Sequence, residues 1–184
     1  MADNQASNPN PAIGAAQHES SVGKLYLAFS LGGNAYSIEI ERIREIIEYD
    51  VPTAVPMMPL AVCGVINLRG AVVPVLDLAV RFGHHPIVVS RRSCYVIVEV
   101  EHRGALHVIG LLVDRVTAVV EIDDADIEPP PAFGAQIDVD FIAGLARHDN
   151  RFLIILNMAR ALSIAEISAV TRMGEEKLPQ ADPA

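Results

Sequence analysis

Four groups of residues in this chain have the types needed for chemistry, and none completes a catalytic set. The acidic run Asp123, Asp124, Asp126 and Glu128 has the carboxylate density of a calcium loop. It lacks the glycine that turns such a loop at its sixth position, and Pro129-Pro130-Pro131 oppose the required geometry, so it reads as a solvated acidic turn. His84 and His85 are adjacent in a loop and chelate metal weakly without further ligands. Cys63 and Cys94 are the two cysteines. Each sits in an apolar run, and neither His102 nor His107 stands at a metal-site spacing from Cys94. Buried free thiols are therefore expected, as in a protein of a reducing compartment. Asp77 and Asp114 follow apolar strands, where caps and turn residues sit. There is no G-x-S-x-G, no phosphate loop, no G-x-G-x-x-G after a strand and no H-E-x-x-H. A small β-barrel hydrolase would need polar groups converging in a cavity, and the sequence offers none, so no cofactor or metal is expected.

A lone arginine remains. In GVINLRGAVVPVLDL, residues 64–78, two apolar runs flank a break that carries Arg69. Asn67 and Gly70 read as turn-shaping, because glycine adopts positive φ without cost and lets the chain reverse sharply. Arg69 would then project from a rigid base. Its planar guanidinium suits a carboxylate or a set of carbonyls. On pattern alone it could equally bond a neighbouring loop carbonyl.

The elements that must hold this arginine are mostly strands. The chain has 184 residues, of which 51% are hydrophobic and only 5% aromatic. Val, Ile, Leu and Ala dominate, which favours β structure without an aromatic stacking platform. Strands are expected at 25–31, 35–40, 63–68, 71–76, 93–102, 105–114 and 115–122, with two more around His148-Asp149-Asn150 in 140–158. The run IERIREIIE, 40–48, places Ile40, Ile43, Ile46 and Ile47 on one helical face and predicts a short amphipathic helix, with a strand as the alternative for part of it. Residues 77–83 predict a helical turn ending at Gly83. Residues 83–92 read as a linker and subdomain boundary. Ser163 and Glu166 have capping-box spacing for a helix over 164–172.

The tails, 1–23 and 173–184, lack apolar periodicity and are expected to be disordered. The formal net charge of −9 argues against a nucleic-acid partner, and the nearest basic feature is the pair Arg91-Arg92. No signal peptide is visible. The uncharged stretch 51–68 is broken by Pro52, Pro56, Pro59 and Gly64, so no membrane insertion is expected, and the chain reads as soluble and cytoplasmic.

The stretch around Arg69 resembles the signature of the CheW family, the coupling proteins of bacterial chemotaxis. The similarity lies at Gly64, Asn67-Leu68-Arg69-Gly70, Pro74, Asp77 and Leu78. It continues through GLLVDRVTAVVEI (110–122), DIEPPPAFG (126–134) and FIAGLARHDNRFLIILNMARAL (141–162), and covers residues 24–165. The resemblance implies an all-β fold of two SH3-like five-stranded barrels with short helices, across a CheW-like domain at 24–170. The first barrel would span about 24–86 and the second about 93–140, with a closing strand and helix over 141–172. It implies a non-enzymatic adaptor that couples chemoreceptor cytoplasmic tips to a CheA-type histidine kinase in membrane-associated arrays. With no phosphotransfer or ATP-binding segment before this domain and no receiver domain after it, neither the kinase nor the fused CheV type is expected. An adaptor of a non-motility chemosensory array shares the fold and stays open as an alternative. By the same resemblance Arg69, Ile43, Glu45 and Gly64 would line the receptor-binding surface, Ile43 as an apolar anchor and Glu45 as a polar rim group. The kinase contact would fall on the second barrel.

Overall fold

Alternating apolar and polar positions, closed by two-residue turns, drive most of this chain into hairpins. The computed structural model describes residues 23–102, 104–130 and 137–162. Ten strands form two five-stranded sheets. They are β1 (Lys24–Leu31), β2 (Asn34–Glu39), β3 (Ile43–Glu48), β4 (Val62–Leu68), β5 (Ala71–Asp77), β6 (Cys94–His102), β7 (Ala105–Val113), β8 (Arg115–Ile122), β9 (Ile142–His148) and β10 (Arg151–Leu156). Two short helices, α1 (Leu78–Arg81) and α2 (Met158–Ala161), follow β5 and β10. The all-β, two-subdomain expectation holds.

The division of the chain between the sheets differs from the contiguous one expected. One sheet runs β8-β1-β2-β10-β9 and the other β3-β6-β7-β5-β4. The middle of the chain, β3 to β7, thus builds one sheet, and both ends of the described chain build the other. Residues 83–92 join two strands of the same sheet and are not a subdomain boundary. The chain changes sheets between β2 and β3 and again at Asp114. The physical cause is non-local pairing. β1 pairs antiparallel with β8, and β2 pairs parallel with β10 at Tyr36↔Ile154. Strand periodicity identifies strands but not their partners.

Asp114 marks the second change of sheet. Its Oδ2 accepts the Gly32 N–H at 2.8 Å, tying that point to the β1–β2 turn. Asp77 does comparable work for α1. It is 4% exposed; its Oδ1 accepts from Ala79 and Val80, and its Oδ2 accepts from Ile87. Both aspartates are structural, as their positions after strands suggest.

Three apolar cores result. Tyr26, Ala28, Val120, Leu153 and Ile155 fill the first sheet's curl, and Val75, Tyr95, Ile97 and Leu112 fill the second's. The largest core lies between the sheets, where Phe29, Ile38, Leu76, Leu78, Val96 and Leu111 are fully buried. Each such side chain contributes about 1.5–3 kcal/mol on burial, so this joint holds the two subdomains as one unit.

The expected helix over 40–48 is a single 3-10 turn, Ile40–Arg42, followed by strand β3. Ile43 and Ile47, at i and i+4, would share a face in a helix or in a regular strand, so the pattern alone fits either; the observed strand carries a bulge that sets them on opposite faces. The β-branched isoleucines and pairing with β6 decide for the strand. Ile46, a core position in the helical reading, is 45% exposed. The capping-box helix at 164–172, the tails and residues 131–136 of the proline loop lie outside the described residues.

Candidate interaction site

The β4–β5 hairpin carries the arginine at its tip. Leu68 pairs with Ala71, so Arg69 and Gly70 are the whole loop. Both have positive φ, 51° and 89°, the signature of a type I′ turn whose twist matches the flanking strands. The Asn67 side-chain oxygen accepts the Gly70 N–H at 2.8 Å and fixes the reversal. Glycine was readable here from sequence. The left-handed backbone of Arg69 was not, because a type I′ loop favours asparagine or glycine at that position. An arginine held there costs roughly 1–2 kcal/mol relative to an ordinary backbone.

The guanidinium of Arg69 is aimed. Its Nη2 donates to Glu45 Oε2 at 2.8 Å, with the arginine side chain 79% exposed and the glutamate 24% exposed. A bulge explains how Glu45 reaches it. Ile43 pairs with Val98 and Glu45 with Ile97, so Arg44 is an extra residue in β3. Directly opposed residues share a face, and the bulge therefore turns Glu45 to the opposite face from Ile43. Ile43 packs half-buried against the joint between the sheets, while Glu45 and Ile47 share the face of the second sheet's own core. β3 and β4 are the two edges of their sheet, and the Arg69–Glu45 pair bridges them.

Gly64 serves the same edge. Its φ is 144°, and a methyl group there would overlap the Thr53 carbonyl oxygen. This close approach lets the crossing from β3 to β4 lie along β4, where Thr53 and Val65 exchange hydrogen bonds of 2.8 and 2.9 Å. The same crossing presents Met57 and Leu60 at 98% and 93% exposure. The family resemblance grouped Arg69, Glu45, Ile43 and Gly64 on one surface. The fold brings Arg69 and Glu45 into contact, sets Gly64 under the crossing, and places Ile43 on the other side of β3.

Two thiols and one phenol at these cores are held neutral by burial. Cys63 and Cys94 are free and half-buried; burial, with the Asp77 charge second, pushes the Cys63 thiol up to about 11, and burial also raises Cys94. Tyr95, whose hydroxyl donates to the Asp50 carbonyl, is pushed well above the usual phenol range by burial. These are not the environments of activated nucleophiles.

The family profile for the CheW-like domain matches residues 25–166. The chain belongs to the CheW-like family. It is 33% identical over 143 residues to a probable chemotaxis protein CheW of Rhizobium etli, covering 78% of this chain and 90% of that one. It is 30% identical over 154 residues to the chemotaxis protein CheW of Klebsiella aerogenes, covering 84% and 90%. Among solved structures, the scaffolding protein TtCheW from Thermoanaerobacter tengcongensis superposes with a TM-score of 0.68 at 36% identity, covering 77% of this chain and 88% of that one. This CheW-like chain is accordingly a scaffold of chemotaxis signalling, in a family of adaptors. Among the described residues no helix is long and apolar enough to cross a membrane.

Proposed function

We propose that this CheW-like protein is a non-enzymatic adaptor that joins chemoreceptor cytoplasmic tips to a CheA-type histidine kinase in membrane-associated arrays, and that Arg69 and Glu45 are the centre of its receptor contact, with Ile43 and Gly64 shaping the surface around them. The observation that carries this reading is the strained, exposed Arg69. The chain holds an arginine where asparagine or glycine would be cheaper, and directs it with a half-buried carboxylate. Backbone strain is retained where the side chain is needed in that place. Glu45 preorganises the guanidinium, which keeps donors free for acceptors on a helical tip. Ile43 supplies apolar support from the opposite face of β3. Gly64 keeps the crossing flat against β4, so that a partner helix has room beside the hairpin.

The test mixes the purified protein with a receptor cytoplasmic hairpin displayed on vesicles and a CheA-type kinase from the same source. Co-sedimentation and kinase autophosphorylation are read with wild type, with Arg69→Glu and without adaptor. Activation by wild type that the variant loses is the expected result. Equal binding and activation by both proteins would remove Arg69 from the contact, and no co-sedimentation by wild type would overturn the coupling role with these partners.

A further inference from the structure

The described arginines divide into two sets. Arg42, Arg44, Arg69 and Arg160 each pair with a carboxylate, and Arg81 lies over the Phe141 ring and donates to the Ala161 carbonyl. Arg91, Arg92, Arg115, Arg147 and Arg151 have no carboxylate partner among the described residues, and all five are exposed. All but Arg91 converge in space although they are spread along the sequence. Arg92 and Arg115 line one depression, Arg115 and Arg151 the next, and Arg147 and Arg151 a third. Neighbouring depressions share lining residues and form one open trough at an end of the first sheet, its central section about 590 Å3 in volume. Phe152, 52% exposed, stands in it with the Arg147 guanidinium 5.2 Å from its ring centre. The one carboxylate on the lining is Asp149, which faces His148 at 3.4 Å.

We propose that this trough docks an extended acidic segment of a protein partner, carboxylates against Arg115 and Arg151 and an apolar side chain against Phe152. Charge complementarity selects the occupant. Guanidinium groups bind carboxylates in two-pronged pairs. The whole chain carries a net charge of −9, so a nucleic acid or an anionic membrane meets long-range repulsion that a short peptide largely escapes within a Debye length. The open, elongated shape suits a chain better than a compact ligand, and its edge on β8, an outer strand, offers backbone groups to an extended peptide. The site is separate from Arg69 and does not depend on the receptor assignment.

The experiment measures fluorescence anisotropy of a labelled peptide of repeating Glu-Leu-Glu-Ser with the full-length protein, against the same peptide with Gln for Glu. The expected result is saturable, salt-sensitive binding of the Glu peptide, at least about tenfold tighter than the Gln peptide, a difference well within the range of charge-assisted contacts. The double variant Arg115→Glu/Arg151→Glu should lose it, while Arg69→Glu and Arg42→Glu should retain it. Circular dichroism and thermal melts of the double variant establish that it is folded. Equal binding of the two peptides, or binding that survives the double substitution, would overturn the proposal. So would binding to phosphatidylserine vesicles without peptide binding, which makes the trough a membrane contact, or concentration-dependent self-association without peptide binding, lost in the double variant, which makes its occupant a second copy.

Discussion

Replacing Arg69 by asparagine separates what that residue costs the fold from what it does for a partner. The left-handed backbone, φ 51°, costs an arginine roughly 1–2 kcal/mol, and asparagine tolerates it better. Asn-Gly is also the preferred pair for a type I′ loop. Against this gain stands the lost ion pair with Glu45. Because Arg69 is 79% exposed, that pair contributes only about 0.2–1 kcal/mol. The two terms nearly offset, so the net change in stability should lie within about 1 kcal/mol and favour the variant if anything. For a domain of this size that is a shift in melting temperature of no more than roughly 2–4 °C. Binding behaves differently. Loss of one partner of a desolvated charge pair costs about 2–5 kcal/mol, which corresponds to roughly 30- to 4,000-fold in affinity. The assay is a pair of measurements on one sample: a thermal melt by circular dichroism, and titration of a vesicle-displayed receptor hairpin. An unchanged melt with lost binding is expected. A melt lowered by about 10 °C would mean that the arginine is structural and that the strain argument is wrong. Unchanged affinity would mean that the aimed guanidinium has no partner there.

Other expectations follow from the same geometry. Gly64→Ala should lower stability by about 2–3 kcal/mol, seen as an earlier urea midpoint, because the methyl meets the Thr53 carbonyl in a backbone region that alanine avoids. Asp77→Ala should cost about 1–3 kcal/mol in the same assay, since one buried and two partly buried N–H donors lose their acceptor. Cys63 should react with a thiol reagent at pH 8 roughly 100-fold more slowly than a free cysteine, given a thiol pushed up to about 11. Its pH linkage has a definite sign. Between pH 9 and 11 the folded thiol keeps a proton that the unfolded chain releases, so stability is level below that window and falls through it. Tyr95 and Cys94 are raised by burial as well and act in the same direction. A urea midpoint that rose over this pH range would contradict their burial as neutral groups.

What the sequence by itself determined is local. Period-two alternation and glycine-bearing turns specified the hairpins, and aspartates after apolar strands specified the caps at Asp77 and the clamp at Asp114. The signature around Arg69 singled out one exposed charge. Tertiary structure decided what depends on partners distant in the chain. Sequence periodicity could not choose between helix and strand at Ile43–Glu48, because an i, i+4 pair such as Ile43 and Ile47 shares a face in a helix and in a regular strand alike; pairing with β6 chose the strand, and its bulge at Arg44 parted the two isoleucines. It could not show that the chain's middle forms one sheet and its flanks the other, since a strand's pattern does not encode its neighbour. The Arg69–Glu45 pair required a bulge at Arg44 and the approach of two sheet edges, 24 residues apart in sequence. The arginine trough shows the same limit most plainly. Arg115, Arg147 and Arg151 are scattered along an acidic chain, where each reads as a solvated charge, and they become one basic surface only because β8 and the β9–β10 hairpin fold to the same end of one sheet. Charge acts over a few ångströms in space whatever the separation along the chain, so only the folded structure could assemble it.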